Sequence, residues 1–259
     1  MTDFTNAKDC FPSASIGGGV NYFLWNSHYN GDCVFTSIHE NIKNVTTRNL
    51  NQFETFIRYN EAISIIFKVH VRESVAEIVS SLSPFGIGSS ERGNNTPFPG
   101  CVTLYSSKGI GYIDKHLITV GKDILNSYKV MLSKVTSEHA GEADKNGKYK
   151  VLTRVKVLKP MEACTFSYFT IGKFPSLEQA NNLYKYIYTS FFRFLLLQKM
   201  SSINLSRDKF SFVPLQDFTE HSDIDWSKSI PEIDQQLYRK YNLSDDEIAF
   251  IEKMIKPME

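Results

Sequence analysis

The sequence predicts an α+β domain: a twisted, mostly antiparallel sheet, one long helix packed on it, and two C-terminal helices. Three observations carry this expectation. Runs rich in aromatic and β-branched residues alternate with Gly, Asn and Pro turn signals ahead of residue 175. One apolar stripe at helical spacing follows Ser176 for about six turns. Two S-x-x-E capping boxes, Ser229 with Glu232 and Ser244 with Glu247, precede short amphipathic runs near the C-terminus.

Residues 20–25 (VNYFLW) and 33–38 (CVFTSI) read as two strands joined through NSHYNGD, whose Asn30-Gly31 pair is a hairpin turn signal. In the first strand Val20, Tyr22 and Leu24 face one way and Asn21, Phe23 and Trp25 the other. Gly17, Gly18 and Gly19 precede it. A phosphate-cradling glycine loop stands between a strand and a helix N-terminus, where amide donors and the helix dipole converge on an anion. These glycines stand before a strand instead, and neither G-x-G-x-x-G nor G-x-x-x-x-G-K-[ST] occurs. The triplet is expected to permit a tight bend or a close backbone approach.

Residues 60–71 place Ala62, Ile63, Ile66, Phe67 and His70 at helical spacing, and 73–82 suit a second short helix. SPFGIGSSERGNNTPFPG, residues 83–100, has too much Gly and Pro for either element and reads as a long loop. Such loops are usually functional or disordered. Strands are expected at 101–105, 111–114, 128–133, 150–158 and 165–172, with a polar connection over 135–150. SLEQ opens the long helix, with Ser176 as N-cap and Gln179 at the third helical position. Ala180, Leu183, Tyr184, Ile187, Phe191, Phe194 and Leu195 then recur on one face through Lys199. Ile233, Leu237 and Tyr241 line the next helix; Ile248, Ile251 and Ile255 line the last.

Composition narrows the function classes. The densest apolar stretch, FFRFLLL at 191–197, is too short to span a bilayer, and the first residues lack a signal-peptide pattern. Cys10, Cys33, Cys101 and Cys164 are far apart with no C-x-x-C, which speaks against zinc and fits a reducing compartment. A cytoplasmic protein, not a membrane one, is expected. The net charge of +1 conceals a split: residues 108–160 carry 11 Lys/Arg against 5 Asp/Glu, and residues 217–259 carry 5 against 11. Such segregation can build one basic face, or it can reflect solvated loops of different composition.

The search for catalytic motifs is negative. No G-x-S-x-G elbow occurs, and His28, His39, His70, His116, His139 and His221 lack a patterned Ser or Cys partner. Asp223 and Asp225 lie two apart, and Asp245 and Asp246 are adjacent. Metal nucleases need converging carboxylates, often with a lysine nearby, and no E-x-K occurs. The Asp245-Asp246 pair falls in a helix's first turn, where acid favours the dipole.

Binding chemistry is better represented. In SSERGNN, Ser89, Arg92, Asn94 and Asn95 gather hydroxyl, guanidinium and amide groups. Arg and Asn can bond bidentately to guanine and adenine edges; a polar surface loop is the plain alternative. Lys108, Lys129, Lys150, Arg154 and Lys156 fall on or beside predicted strands of the basic segment. They can contact phosphates, or line a solvated sheet face. Tyr22 and Trp25 are expected to pack in the core, with wedging or stacking on bases as the alternative.

Several blocks form one collinear series: GGVNYFLWNSHYNGDC, RNLNQFETFIRYNEAI, SPFG, EACTFSYFTIGKF, YIYTSFFRFLLLQK, FSFVPLQDF and IDQQLYRKYNLSDDEIAFIEKMIKPM. The series resembles the C-terminal part of TaqI-like N6-adenine DNA methyltransferases of restriction–modification systems, including fused methylase–endonucleases. It runs from about Phe4 to Met258, and its terminal LYRKYNLSDDEIAFIEKMIKPM stretch is the most specific block. The resemblance implies a target-recognition domain for duplex DNA over residues 1–215, with a C-terminal helical appendage over 216–259. It implies that S-adenosylmethionine and the N-P-P-Y catalytic motif belong to an N-terminal half this chain lacks; NTPF at 95–98 has Thr96 where the first proline would stand. The gene is then truncated or split, or the chain is a separate specificity subunit partnered by a methyltransferase catalytic domain. The acidic tail, residues 230–257, is expected to meet protein rather than phosphate. A restriction endonuclease component, or an interaction module without DNA binding, are the competing expectations.

Overall fold

The computed structural model describes residues 1–13, 16, 18–39, 42–69, 71–136, 143, 144, 146–200 and 202–258. Its strands are β1 (Thr2–Phe4), β2 (Val20–Tyr22), β3 (Cys33–His39), β4 (Ile42–Arg48), β5 (Val102–Ser106), β6 (Gly109–Ile113), β7 (Tyr128–Ser133), β8 (Val155–Leu158), β9 (Glu162–Cys164) and β10 (Tyr168–Phe174). The helices are α1 (Asn60–Val69), α2 (Lys122–Leu125), α3 (Leu177–Tyr188), α4 (Ser190–Gln198), α5 (Ile230–Lys240) and α6 (Asp245–Met254). The fold is α+β and its pairing is mostly antiparallel. The strands form three small sheets rather than one, ordered β2-β1-β3-β4, β10-β7-β8 and β6-β5-β9.

The first sheet departs from the expected hairpin. β1 inserts between β2 and β3: Phe4 lies opposite Val20 in antiparallel register and opposite Ile38 in parallel register. The hairpin partner of β3 is β4, with Phe35 opposite Thr46. Gly19 serves the close approach expected of the glycines. A β-carbon there would collide with the Phe4 carbonyl oxygen and the Arg58 guanidinium, which pairs with Asp3 at 2.7 Å. Gly17 lies outside the described residues. Helix α1 buries Ala62, Ile65, Ile66 and Val69, while Phe67, expected on the apolar face, is exposed. His70 also lies outside the described residues.

The second sheet is covered on both faces, and this decides the fate of its side chains. Period-2 alternation in β7 sends Val130 and Leu132 into a core shared with Phe169, Leu183 and Ile187. Met131, on the other face, joins Leu104, Leu158, Cys164 and Tyr168 beneath the third sheet. Each fully buried side chain of this kind contributes about 1.5–3 kcal/mol. Ile233, Leu237 and Tyr238 of α5 and Ile251 and Met254 of α6 belong to the same core as α3 and α4. The expected strand at 150–158 is confined to β8, because Val151 takes a positive φ of 70° upstream of it. The segment expected as a short helix at 73–82 contributes one 3-10 turn, Val75–Ile78.

The long helix is interrupted. Ser176 caps it as predicted, accepting from the Gln179 N–H at 3.2 Å. Thr189 leaves helical geometry (φ −61°, ψ 150°), and its hydroxyl accepts from the Phe192 N–H to open α4. Asp234 of α5 completes the break by accepting from the N–H groups of Ser190 and Phe191, each at 2.9 Å. Burial pushes the Asp234 carboxyl up to about 6, against those two bonds. Both C-terminal capping boxes form as predicted.

Candidate nucleic-acid interface

The third sheet is small and one of its faces looks outward. Strand alternation buries Val102, Leu104 and Ser106 and turns Thr103 and Tyr105 to the other side. Across the ladder, Thr103 lies opposite Tyr112 and Tyr105 opposite Ile110. The outward face thus carries two tyrosines and an exposed isoleucine. The Tyr105 hydroxyl donates to Glu162 Oε1 at 3.3 Å, and burial together with that carboxylate pushes it up to about 12. It stays a neutral donor at any working pH.

The loop over residues 83–100 is strapped to the free edge of this sheet. The Asn94 N–H donates to the Tyr112 carbonyl at 2.8 Å, and the Tyr112 N–H returns to Asn94 at 3.0 Å. Gly111 makes this possible, because a β-carbon there would collide with the Arg92 carbonyl oxygen. Within the loop, Arg92 Nη1 donates to the carbonyls of Ser89 (2.6 Å) and Glu91 (2.7 Å). The Glu91 carboxylate accepts from the N–H groups of Arg92 and Gly93. Ser89, Arg92, Asn94 and Asn95 therefore sit together and exposed on a loop held by its own hydrogen bonds.

The basic residues predicted for phosphate divide three ways. Lys108 is exposed on the β5–β6 turn. Arg154 belongs beside it: its Nη1 donates to the Tyr168 hydroxyl at 2.8 Å, which donates to the Ser106 carbonyl at the base of that turn at 3.3 Å. Lys156 on β8 joins them, its ammonium 5.3 Å from the Tyr105 ring centroid. Lys150 lies elsewhere. Its neighbour Tyr149 exchanges backbone bonds with Met254 and Lys256, and its own carbonyl accepts from Arg193.

Lys129 corrects the expectation made for it. It shares the inner face of β7 with Met131 and is 0% exposed, so no phosphate can reach it. Its ammonium donates to the carbonyls of Leu125 (3.3 Å), Ser127 (3.1 Å) and Lys159 (2.9 Å). Burial lowers it to about 8 even though Glu162 opposes the shift. The residue ties α2 to the β8–β9 connection. Tyr22, on β2 of the first sheet, and Trp25, just beyond it, are exposed and away from this face, so neither packs in the core as expected.

Sequence reasoning did not single out Tyr105, Ile110 and Tyr112 as an exposed face. The alternation in CVTLYS and GIGYI was the signal that could have found it. Among the described residues no three His, Cys, Asp or Glu side chains gather as a metal site. His139 lies outside them. No helix there is long and apolar enough to cross a membrane.

No known family profile matches the chain. Over 81 residues it is 27% identical to a Mycoplasma pneumoniae protein described as an uncharacterized adenine-specific methylase. The matched stretch is 31% of this chain and 19% of that relative's length. The similarity relates this chain to a protein of the adenine-specific methylase kind.

Proposed function

We propose that this chain is the DNA-reading part of a TaqI-like adenine-N6 DNA methyltransferase of a restriction–modification system, working with a catalytic part outside residues 1–259. One observation carries the reading. A loop bearing Ser89, Arg92, Asn94 and Asn95 is bonded to the edge of a sheet whose outward face joins Tyr105 and Tyr112 with Lys108, Arg154 and Lys156. The partial match to an adenine-specific methylase supports it.

Methylating an adenine requires the base to leave the stack, so a second surface must hold the duplex in register. Lys108, Arg154 and Lys156 neutralise phosphates and orient the duplex without reading it. The loop then meets base edges. The two nitrogens of Arg92 not bonded within the loop present a fork matched to guanine, and the Asn94 and Asn95 amides match adenine. S-adenosylmethionine supplies the methyl group when bound to the catalytic part, and no residue here is assigned to it.

The test is a titration of the purified chain against a randomised duplex pool at two salt concentrations. Three phosphate contacts predict that affinity falls roughly 40-fold between about 50 and 200 mM salt, with enrichment of one sequence. Binding that ignores salt, or no binding in the presence or absence of a methyltransferase catalytic partner, overturns the reading. Magnesium-dependent cleavage by the chain alone would replace it with a nuclease.

A further inference from the structure

β2 is an edge strand of the first sheet, and no described strand pairs with its outer side. Its inner side pairs with β1 through Tyr22, Asn21 and Val20. The chain then continues through Phe23, Leu24 and Trp25, which make no backbone hydrogen bond to any described residue. Their side chains are equally uncovered: Tyr22 is 63% exposed, Phe23 65%, Leu24 94% and Trp25 75%. Four consecutive large apolar side chains at the end of a sheet edge are what soluble proteins normally avoid or cover.

The charge pattern identifies what covers them. Native edges are usually protected by lysine, proline or an inward charge. Here residues 10–31 contain no Asp, Glu, Lys or Arg at all. The segment itself offers a phosphate backbone no cation, and the Arg58 guanidinium beside Gly19 is held by Asp3, so it is poorly suited to DNA. It has no charge for a charged partner to complement either. A two-fold contact, by contrast, sets each residue of a patch against the same patch on the other subunit, and any net charge there would repel its own copy. An uncharged, unpaired edge is self-complementary. Four aromatic or aliphatic side chains on each of two copies supply on the order of 1,000 Å² of apolar area, the scale at which a specific dimer becomes stable.

We propose that two copies of this chain associate through β2, pairing residues 20–25 antiparallel across a two-fold axis so that Tyr22 and Leu24 on one face of the joined sheet, and Phe23 and Trp25 on the other, pack against their copies. The inference goes beyond the DNA-reading role and does not rest on it.

Sedimentation equilibrium of the full chain from micromolar to sub-millimolar concentration tests it, alongside iodide quenching of tryptophan. Trp226 is buried and Trp25 is not, so the quenchable signal reports Trp25. The expected result is a shift from one chain mass to two, with Trp25 losing access to iodide over the same concentrations. Leu24→Lys, at a side chain with no packing role in the fold, should raise the dimer dissociation constant at least about tenfold while leaving thermal stability and duplex affinity of the monomer unchanged. A chain monomeric throughout the range overturns the proposal. So does a dimer indifferent to Leu24→Lys, or a Trp25 shielded only when duplex or a methyltransferase catalytic part is added.

Discussion

Lys129→Met replaces a buried ammonium by a thioether of similar length. In the unfolded chain Lys129 ionises at its ordinary 10.5, and in the fold at about 8. Below the lower value both states hold the proton, and the full penalty of burying the charge is present. Between the two values the unfolded chain keeps the proton that the folded chain has released, so stability rises with pH. Linkage over that window gives the native protein about 2 kcal/mol between roughly pH 7.5 and pH 9.5, a gain the Met variant lacks. Urea unfolding at both pH values measures this as a difference between two differences, which cancels the titration of every other group. The absolute offset between the proteins at neutral pH reflects the loss of three ammonium bonds, although the Leu125 and Lys159 carbonyls still accept from the Met161 and Glu162 N–H groups. If the two proteins gain equally on raising the pH, the ammonium is not where the structure puts it. The salt dependence of duplex binding should be the same in both, since Lys129 faces no phosphate.

Arg154→Ala should weaken binding to all duplexes alike and reduce the salt slope by about one, read by anisotropy at several salt concentrations. Asn94→Ala should leave that slope intact and relax preference at one base position by about 1–3 kcal/mol in a selection from a randomised pool. Gly111→Ala forces the Arg92 carbonyl away and should release the 83–100 loop, so protease nicking between residues 88 and 95 increases while the melting temperature changes little. Asp234→Ala strips the acceptor from two amides at the start of α4 and should cost about 1–2 kcal/mol in urea unfolding. Asp234 ionises at about 6 when folded against 3.8 when unfolded, so the native protein loses stability as pH rises between those values, and Asp234→Asn should flatten that stretch of the pH–stability curve.

The elements that local chemistry specifies were legible. SIPE, SDDE and SLEQ each signalled a helix start because capping is a matter of residues within one turn. The break at Thr189 was hidden because the apolar period passes straight through it, and the acceptor that stabilises it, Asp234, lies 45 residues away in sequence. The hairpin from residues 20–25 to 33–38 failed because β1, three residues with no pattern of their own, was free to enter between the two strands. For the candidate site, the exposed polar loop was readable from composition. That Lys129 is enclosed while Lys108 is open was not, since nothing local shows which face of β7 a second sheet will cover. Tyr22 and Trp25 read better as core residues than as contacts, and the position of β2 at a sheet edge, with the chain running on from it uncovered, is what leaves them exposed instead.

Arg193 sits almost wholly inside, and its guanidinium donates to the carbonyls of Tyr188, Thr189, Lys150 and Lys256. One cation thereby clamps three segments that are distant in sequence: the helix break, the approach to β8 and the residues after α6. If either strand-side or tail-side carbonyl departs, the buried guanidinium loses an acceptor that no water replaces. Amide exchange at residues 149–152, 190–193 and 254–256 should therefore proceed through a shared opening event rather than by independent fraying.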